Sequence, residues 1–437
     1  MILVYCNHIT KRHRYTFDFI FKGILGLECT LTDDQHLFTT AEGARINYSA
    51  DYIPGVISFY PGGLLEESGI RDYGGKVVRW QEWPVIFPVE KPSTWPFDPF
   101  SMIFYLVSRY EEYLPYEPDE HGRFSAGKSL AYREDFLHLP LVDMIVHELK
   151  KLLEKHYPGL KFPCQPFIFL PTFDIDIAFA HLGKGWTRAL AAWAKLFLNA
   201  DIKQLKERIL TLSGKISDPY DNFDVHIELA KKYSHPLHYF VLLGDFSTYD
   251  RNTSYKSNRF RSLLKKLSLN ASMGLHPSYR AHLRPDIFKE EKRRLEEILD
   301  VPVTKSRFHF LRLKFPESYR SIVNEGITDD YSLGYSTTNG FRASTCTPFF
   351  FYDLEKEEIT TLRVHPFIFM DSALSDHLKM KPRDAALAIT GMVDQVKKNG
   401  GEAIGIWHNY SLSEKDQYLG WQEVLQEILE KYQNPTT

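Results

Sequence analysis

Beyond residue 165 the chain repeats one pattern. A short apolar run ends abruptly in a polar residue, and an amphipathic helical stretch follows. FIFLPTF runs into Asp174, HYFVLLG into Asp245, and ASMGL into His276. VPVTKS runs into Arg307, GIT into Asp329, LRVHPFIFM into Asp371, and EAIGIW into His408. These seven candidate strands alternate with helical stretches such as RPDIFKEEKRRLEEIL and RDAALAITGMVDQVKKN. Such alternation predicts an α/β fold with parallel strands joined by crossover helices. Chemical groups gathered at strand C-terminal ends favour a β/α barrel, although an open doubly wound sheet would also place them there.

The region before residue 160 reads differently. ARINYSADY and PVIFPVE suggest short strands and turns, followed by two helices. In DPFSMIFYLVSRYEEYL, Asp98 supplies an N-cap and Pro99 a first-turn proline. Phe100, Ile103, Phe104 and Leu106 then form its apolar face. In LPLVDMIVHELKKLLEKHY, Leu141, Ile145, Leu149 and Leu153 recur at four-residue spacing. The proline-punctuated stretch YPGLKFPCQP marks a boundary. The reading is a smaller α+β domain over 1–160 and a β/α domain over 161–437.

LPTFDIDIA raises the first chemical question. Alternate strand residues share a side, so Asp174 and Asp176 can project into one cavity. Two close carboxylates repel, and each is costly to bury unpaired. A divalent cation removes that cost: one carboxylate binds it, and the other is left as a base for activated water. His276, Arg307 and His408 end other predicted strands, and His309 shares a side with Arg307. Together they would ring one mouth. Taken singly, each reads as a satisfied structural residue, and the acid pair as a strand-end cap.

Composition narrows the function classes. A chain of 437 residues implies two domains or three. Its 43% hydrophobic and 25% charged residues describe a globular protein. A net charge of −3 makes no case for nucleic acid. The four cysteines are scattered without a CxxC pair, which argues against a thiolate metal site and fits a reducing compartment. The opening MILVYCNHITKRHRYTF lacks secretory-signal features, so a cytoplasmic location is expected. No uninterrupted apolar run approaches the ~20 residues of a membrane span. The basic stretch carrying Trp186, Trp193 and Phe197 suits packing against the β/α domain, with a lid or peripheral membrane helix as the alternative. Aromatic residues make up 14%, read first as core and second as sugar-stacking surface.

TFDID, GLHPSY, SRFHF and GIWHN stand in the order of the motifs of NodB-homology polysaccharide deacetylases (carbohydrate esterase family four). The chain resembles that family from about residue 165 to 430. The N-terminal region, with EHGRFSAGKSLAYR, looks like an uncharacterised domain that precedes deacetylase domains in some bacterial proteins. The resemblance implies an incomplete seven-stranded β/α barrel. It also implies hydrolytic removal of an N-acetyl, or less readily an O-acetyl, group from a glycan or sugar precursor. Asp174 would be the general base, oriented by Arg307 through a charge-assisted bond. Asp176 would be a metal ligand, with D-x-D in place of the commoner adjacent pair. His276 would be the first metal histidine, and His408 the general acid. The implied cofactor is a divalent metal, zinc first, and the implied partner an N-acetylated sugar or glycan.

One departure matters. The family's second metal histidine lies four residues after the first, where this chain has Arg280. His282 and His309 are the candidates for the third ligand. A cationic Arg280 near the site would repel a divalent ion. Two rival expectations therefore stand: a metal-independent amide hydrolase, and a non-catalytic carbohydrate-binding or scaffolding protein. Tyr279 beside His276 is a candidate substrate contact. TDDYSLGY and GFRASTCTPF add Asp330, Tyr331 and Arg342, with ordinary turns as the plainer reading. His365 reads as a satisfied core histidine, SRYEEY as a surface ion-pair set on a helix with a domain-interface role as the alternative, and DPYDNFD as a helix start capped by Asp218 with a loop binding sugar hydroxyls as the alternative.

Overall fold

The computed structural model describes residues 1–183 and 202–434. Trp186, Trp193 and Phe197 lie outside the described residues. Among the described residues no helix is long and apolar enough to cross a membrane.

The N-terminal region is built on short parallel strands: β1 (Ile2–Tyr5), β2 (Cys29–Thr32), β3 (Ala44–Tyr48) and β4 (Ile57–Phe59). Their spatial order is β2-β1-β3-β4. An antiparallel hairpin follows, β5 (Val77–Trp80) and β6 (Trp83–Ile86). The main sheet is thus parallel, not the α+β arrangement expected. Strands of three to five residues are too short for their period to be legible. The helix joining β1 to β2 opens Lys-Arg-His-Arg, which hides its apolar face.

The helix Pro99–Val107 starts where expected. Asp98 Oδ1 accepts the Phe100 and Ser101 N–H groups at 2.9 and 3.1 Å. The helix Leu141–His156 buries Leu141, Ile145, Leu149 and Leu153 and docks onto the C-terminal region. Its Val142 N–H donates to the Ser344 carbonyl, and Asp143 accepts the Cys346 N–H and the Thr347 hydroxyl. SRYEEY is not a surface set. Arg109 pairs with Glu111 and Glu112, Glu112 also takes Arg342 bidentately, and all four side chains are buried. This ionic link ties the two regions together. Removing one partner would strand a buried charge at a cost of about 3–5 kcal/mol.

The C-terminal region is a nine-stranded sheet: β7 (Phe167–Ile175), β8 (His238–Val241), β9 (Ser272–Leu275), β10 (Lys305–Ser306), β11 (Asp329–Asp330), β12 (Phe349–Asp353), β13 (Glu358–Val364), β14 (Phe369–Met370) and β15 (Gly401–His408). The order is β12-β13-β11-β10-β9-β8-β7-β15-β14, all parallel except β12 against β13. Seven strands were expected. LRVHPFIFM breaks at His365–Pro366, where proline has no N–H for a ladder, so one predicted strand becomes the end of β13 and then β14. β12 adds an antiparallel edge.

The chain between β13 and β14 spans the gap in the sheet. The His365 N–H bonds the Asp330 carbonyl at 2.8 Å, and the Ile368 N–H bonds the Ile404 carbonyl at 2.9 Å. The sheet therefore curves around an inner core that includes Leu170, Phe240, Tyr331, Phe367, Ile404 and Ile406. Helices such as Pro382–Asn399 pack on its outer face. DPYDNFD differs from expectation: the helix begins at Phe223 after Asn222. Asp218 instead accepts the N–H groups of Ala180, His181 and Leu182 at 2.7–3.0 Å. It thereby fixes the loop that leaves β7 just after Asp176.

Candidate active site at the strand ends

In register, His408 at the end of β15 lies opposite Asp174 on β7. Asp176 follows one residue beyond β7 and faces the same side. His276 Nε2 stands 3.2 Å from Asp176 Oδ1 and 3.8 Å from Asp174 Oδ2. His309 Nε2 is 3.8 Å from Asp176 Oδ1, and His408 Nε2 is 3.8 Å from Asp176 Oδ2. These groups line one cavity of about 710 Å³, the size range of small-molecule sites.

The hydrogen bonds behind these groups settle what they can do. Arg307 is fully buried, sits over the Phe240 ring and donates Nε–H to the Tyr331 carbonyl. Its Nη1 donates to Asp174 Oδ1 at 2.8 Å, which leaves Asp174 Oδ2 facing the cavity. His276 Nδ1 meets the Arg307 carbonyl at 2.5 Å, and His309 Nδ1 meets Asp250 Oδ1 at 3.0 Å. Both partners are acceptors, so each Nδ1 carries the proton. With Nδ1 so occupied, each ring turns its Nε2 toward Asp176, the arrangement that metal-binding histidines use. Asp176 Oδ1 is buried and has no hydrogen-bond partner. Asp176, His276 and His309 offer three ligand atoms within 4.8 Å of one another. Two imidazoles and a carboxylate fit a divalent ion, zinc foremost.

Electrostatics agree with the geometry. Burial would raise the Asp176 pKa, but His309 and His276 hold it well below the usual carboxylate range. Burial disfavours the His276 cation, yet Asp174 and Asp176 outweigh it and push its pKa up. On the far side, burial also opposes the His408 cation. Asp371 wins and raises it to about 10, through Nδ1–Oδ1 contact at 2.6 Å. Asp371 Oδ2 takes the His408 N–H as well, and the Ser411 hydroxyl.

Other sequence candidates fall elsewhere. The chain after Ser278 forms a short 3-10 turn, Tyr279–Ala281, that sends His282 to the Ser318 hydroxyl. His282 is absent from the cavity lining, and burial drives its pKa down to about 4. Arg280 is exposed and lines a separate cavity with Asp286 and Glu290, so its repulsion of an ion does not arise. Asp330 is fully buried, held by the Ser306 and Ser332 hydroxyls. Tyr331 is stacked on His365 inside the sheet. Neither can touch a substrate as expected; polar composition suggested a loop where the chain is core. Arg342 lines the cavity, but its guanidinium is committed to Glu112 and the Gly334 carbonyl. Tyr279 stacks on Tyr249 beside the mouth, 4.2 Å between ring centroids.

Three sets of residues escaped the sequence reading. Asp250, which holds His309, lies in a loop with no periodic signal. Asp371 was visible as a strand-end acid but was given no role. Asp119, His121 and Arg123 reach the cavity from the N-terminal region.

Residues 2–158 match a family model described as a family of unknown function (DUF7033). No curated protein matches the chain. Among solved structures it is similar to a polysaccharide deacetylase from Bacillus cereus, at 12% identity and a TM-score of 0.30, covering 60% of this chain and 87% of that one. It is also similar to an allantoinase, at 11% identity and a TM-score of 0.37, covering 62% and 89%. A mutant of a family-four esterase pseudoenzyme matches at 11% identity and a TM-score of 0.28, covering 65% and 76%. Likenesses this weak carry no functional conclusion, which rests instead on the site.

Proposed function

We propose that the chain is a metal-assisted amide hydrolase that removes N-acetyl groups from a sugar or glycan precursor. On this reading the curved sheet is the incomplete β/α barrel that the motif order implied. The observation that carries the proposal is the buried, unpartnered Asp176 Oδ1 facing two histidine Nε2 atoms whose Nδ1 positions are already occupied. Asp176, His276 and His309 would hold the ion. When bound, a divalent ion polarises an acyl carbonyl and acidifies water.

The chain's own residues would do the rest. Asp174 accepts a proton from the attacking water through Oδ2, while Arg307 fixes Oδ1. His408, kept protonated by Asp371, donates its Nε2 proton to the leaving nitrogen as the C–N bond breaks. The amine departs neutral and the acetyl carbon leaves as acetate. The step balances: the water oxygen bonds the acyl carbon as its proton passes to Asp174, the C–N bond breaks as the His408 proton passes to nitrogen, and return of the proton from Asp174 to His408 resets the pair.

The test is acetate release from a panel of N-acetylated sugars and sugar nucleotides. Activity in the wild type, abolished by chelation and by Asp174→Asn, is the expected outcome. Release that survives exhaustive chelation would leave a metal-independent hydrolase. No release from any member of the panel, with Asp174→Asn indistinguishable from wild type, would leave a binding protein.

A further inference from the structure

His309 opens a turn with unusual backbone. Phe310 and Leu311 both have positive φ, 58° and 52°. Side-chain-bearing residues adopt this region at a cost, and two in succession persist only where their surroundings over-determine them. The sequence SRFHFLRL supplies no glycine to relieve it.

The over-determining contacts come largely from the N-terminal region. Arg123 Nη1 donates to the Phe310 carbonyl at 2.8 Å. The Phe310 ring meets the edges of His121 and Tyr279, at 4.9 and 5.3 Å between centroids. His121 Nδ1 meets the Tyr279 hydroxyl at 3.3 Å, and its carbonyl accepts Arg312 Nε–H at 3.0 Å. Asp119 folds the segment on itself. Its Oδ1 accepts the His121 and Arg123 N–H groups at 2.9 Å, and its Oδ2 accepts Arg123 Nε–H at 2.8 Å. From the other side, the His309 N–H bonds the Pro277 carbonyl and Asp250 fixes the ring. The turn that carries His309 is thus clamped between the loops after β8 and β9 and a segment more than 180 residues earlier in the chain.

Resting on the metal-assisted reading above, we infer that the segment Asp119–Arg123 positions His309 as the third ligand. The candidate site then belongs to both regions of the chain. This assigns the N-terminal region a part in metal binding, through Arg123 and His121 as positioning residues that touch no ion. It also accounts for the missing histidine at position 280: the third nitrogen comes from a turn that has to be held in a costly conformation by an added segment.

The experiment is calorimetric titration of zinc into the metal-depleted full-length chain, beside the thermal midpoints of metal-free and zinc-loaded protein. Arg123→Ala should weaken zinc binding by about 10–100-fold, the usual effect of losing a group that orients a ligand. The metal-free midpoint should stay at the wild-type value while the zinc-induced rise shrinks. Arg123→Lys, which can still reach the Phe310 carbonyl, should recover part of the affinity. Should Arg123→Ala not fold, His121→Ala repeats the test with the Arg123–Asp119 pair intact. Wild-type zinc affinity in the folded variant overturns the inference and leaves the metal reading standing. An equal fall in both midpoints also overturns it, since the segment would then act on stability alone. A wild type that takes up no zinc sinks both.

Discussion

Two clusters of polar side chains are buried inside the same curved sheet, and they are finished differently. Near the strand starts, His365 bridges Asp329 and Glu402 at 3.0 and 2.8 Å, and Lys305 donates to the Ser272 hydroxyl at 2.7 Å. Its orphan atom, His238 Nδ1, sits on a ring that burial keeps neutral, with a pKa driven down to about 3. At the mouth the orphans include Arg307 Nη2 and Asp176 Oδ1, the latter on a carboxylate held ionised by its neighbours. Buried polar groups are nearly always satisfied, and an ionised one costs far more to leave open than a neutral one. The closed cluster reads as architecture; the open one reads as a site that a ligand completes.

Mutations should separate the two clusters. Asp174→Asn is expected to cost about 10²–10⁴-fold in kcat, the usual worth of a positioned base, in a chain that still folds but with a lower thermal midpoint, because the buried Arg307 loses its counter-charge. A loss of folding with no specific kinetic effect would make the mouth structural too. Asp371→Asn should act next most strongly and through pH. His408 donates a proton in the proposed reaction, so activity should fall as pH rises through its pKa, pushed up to about 10. Without the Asp371 charge that alkaline limb should move toward neutral pH, by a margin that pH–rate profiles of the two proteins would measure. An unmoved limb would remove His408 from the chemistry.

His365→Gln should do the reverse. It is expected to destabilise the fold by about 1–3 kcal/mol through the partners left unsatisfied, with kcat near wild type. Burial disfavours the His365 cation, but Asp329 and Glu402 outweigh it and raise its pKa. The stabilisation should therefore be complete below the ordinary histidine value of about 6.5 and fade as pH rises through the raised one. Denaturant melts across that range, wild type against variant, would show the difference closing at alkaline pH. A difference that widens instead would mean the ring is held neutral.

What the sequence disclosed follows from which contacts are periodic. Asp174, Asp176, His276, Arg307 and His408 end apolar runs, and strand period places them on one side, so their convergence was legible. His309 was legible by the same argument from Arg307. The turn after Ser278 that diverts His282 is set by local backbone that no spacing rule anticipated. Asp330 and Tyr331 looked like a polar loop because two-residue β11 has no period to read. Asp250, His121 and Arg123 were out of reach for a different reason: tertiary packing alone brings them to His309. The parallel N-terminal sheet was hidden by its short strands, and the β13–β14 break by a proline inside an otherwise apolar run.

The account turns on whether the open cluster at the mouth holds a metal. Elemental analysis of protein purified without chelators, alongside Asp176→Ala, His276→Ala and His309→Ala, asks this directly. The account predicts about one divalent ion, zinc foremost, per wild-type chain and a marked loss in each variant. Wild type and variants carrying the same trace amounts would contradict it.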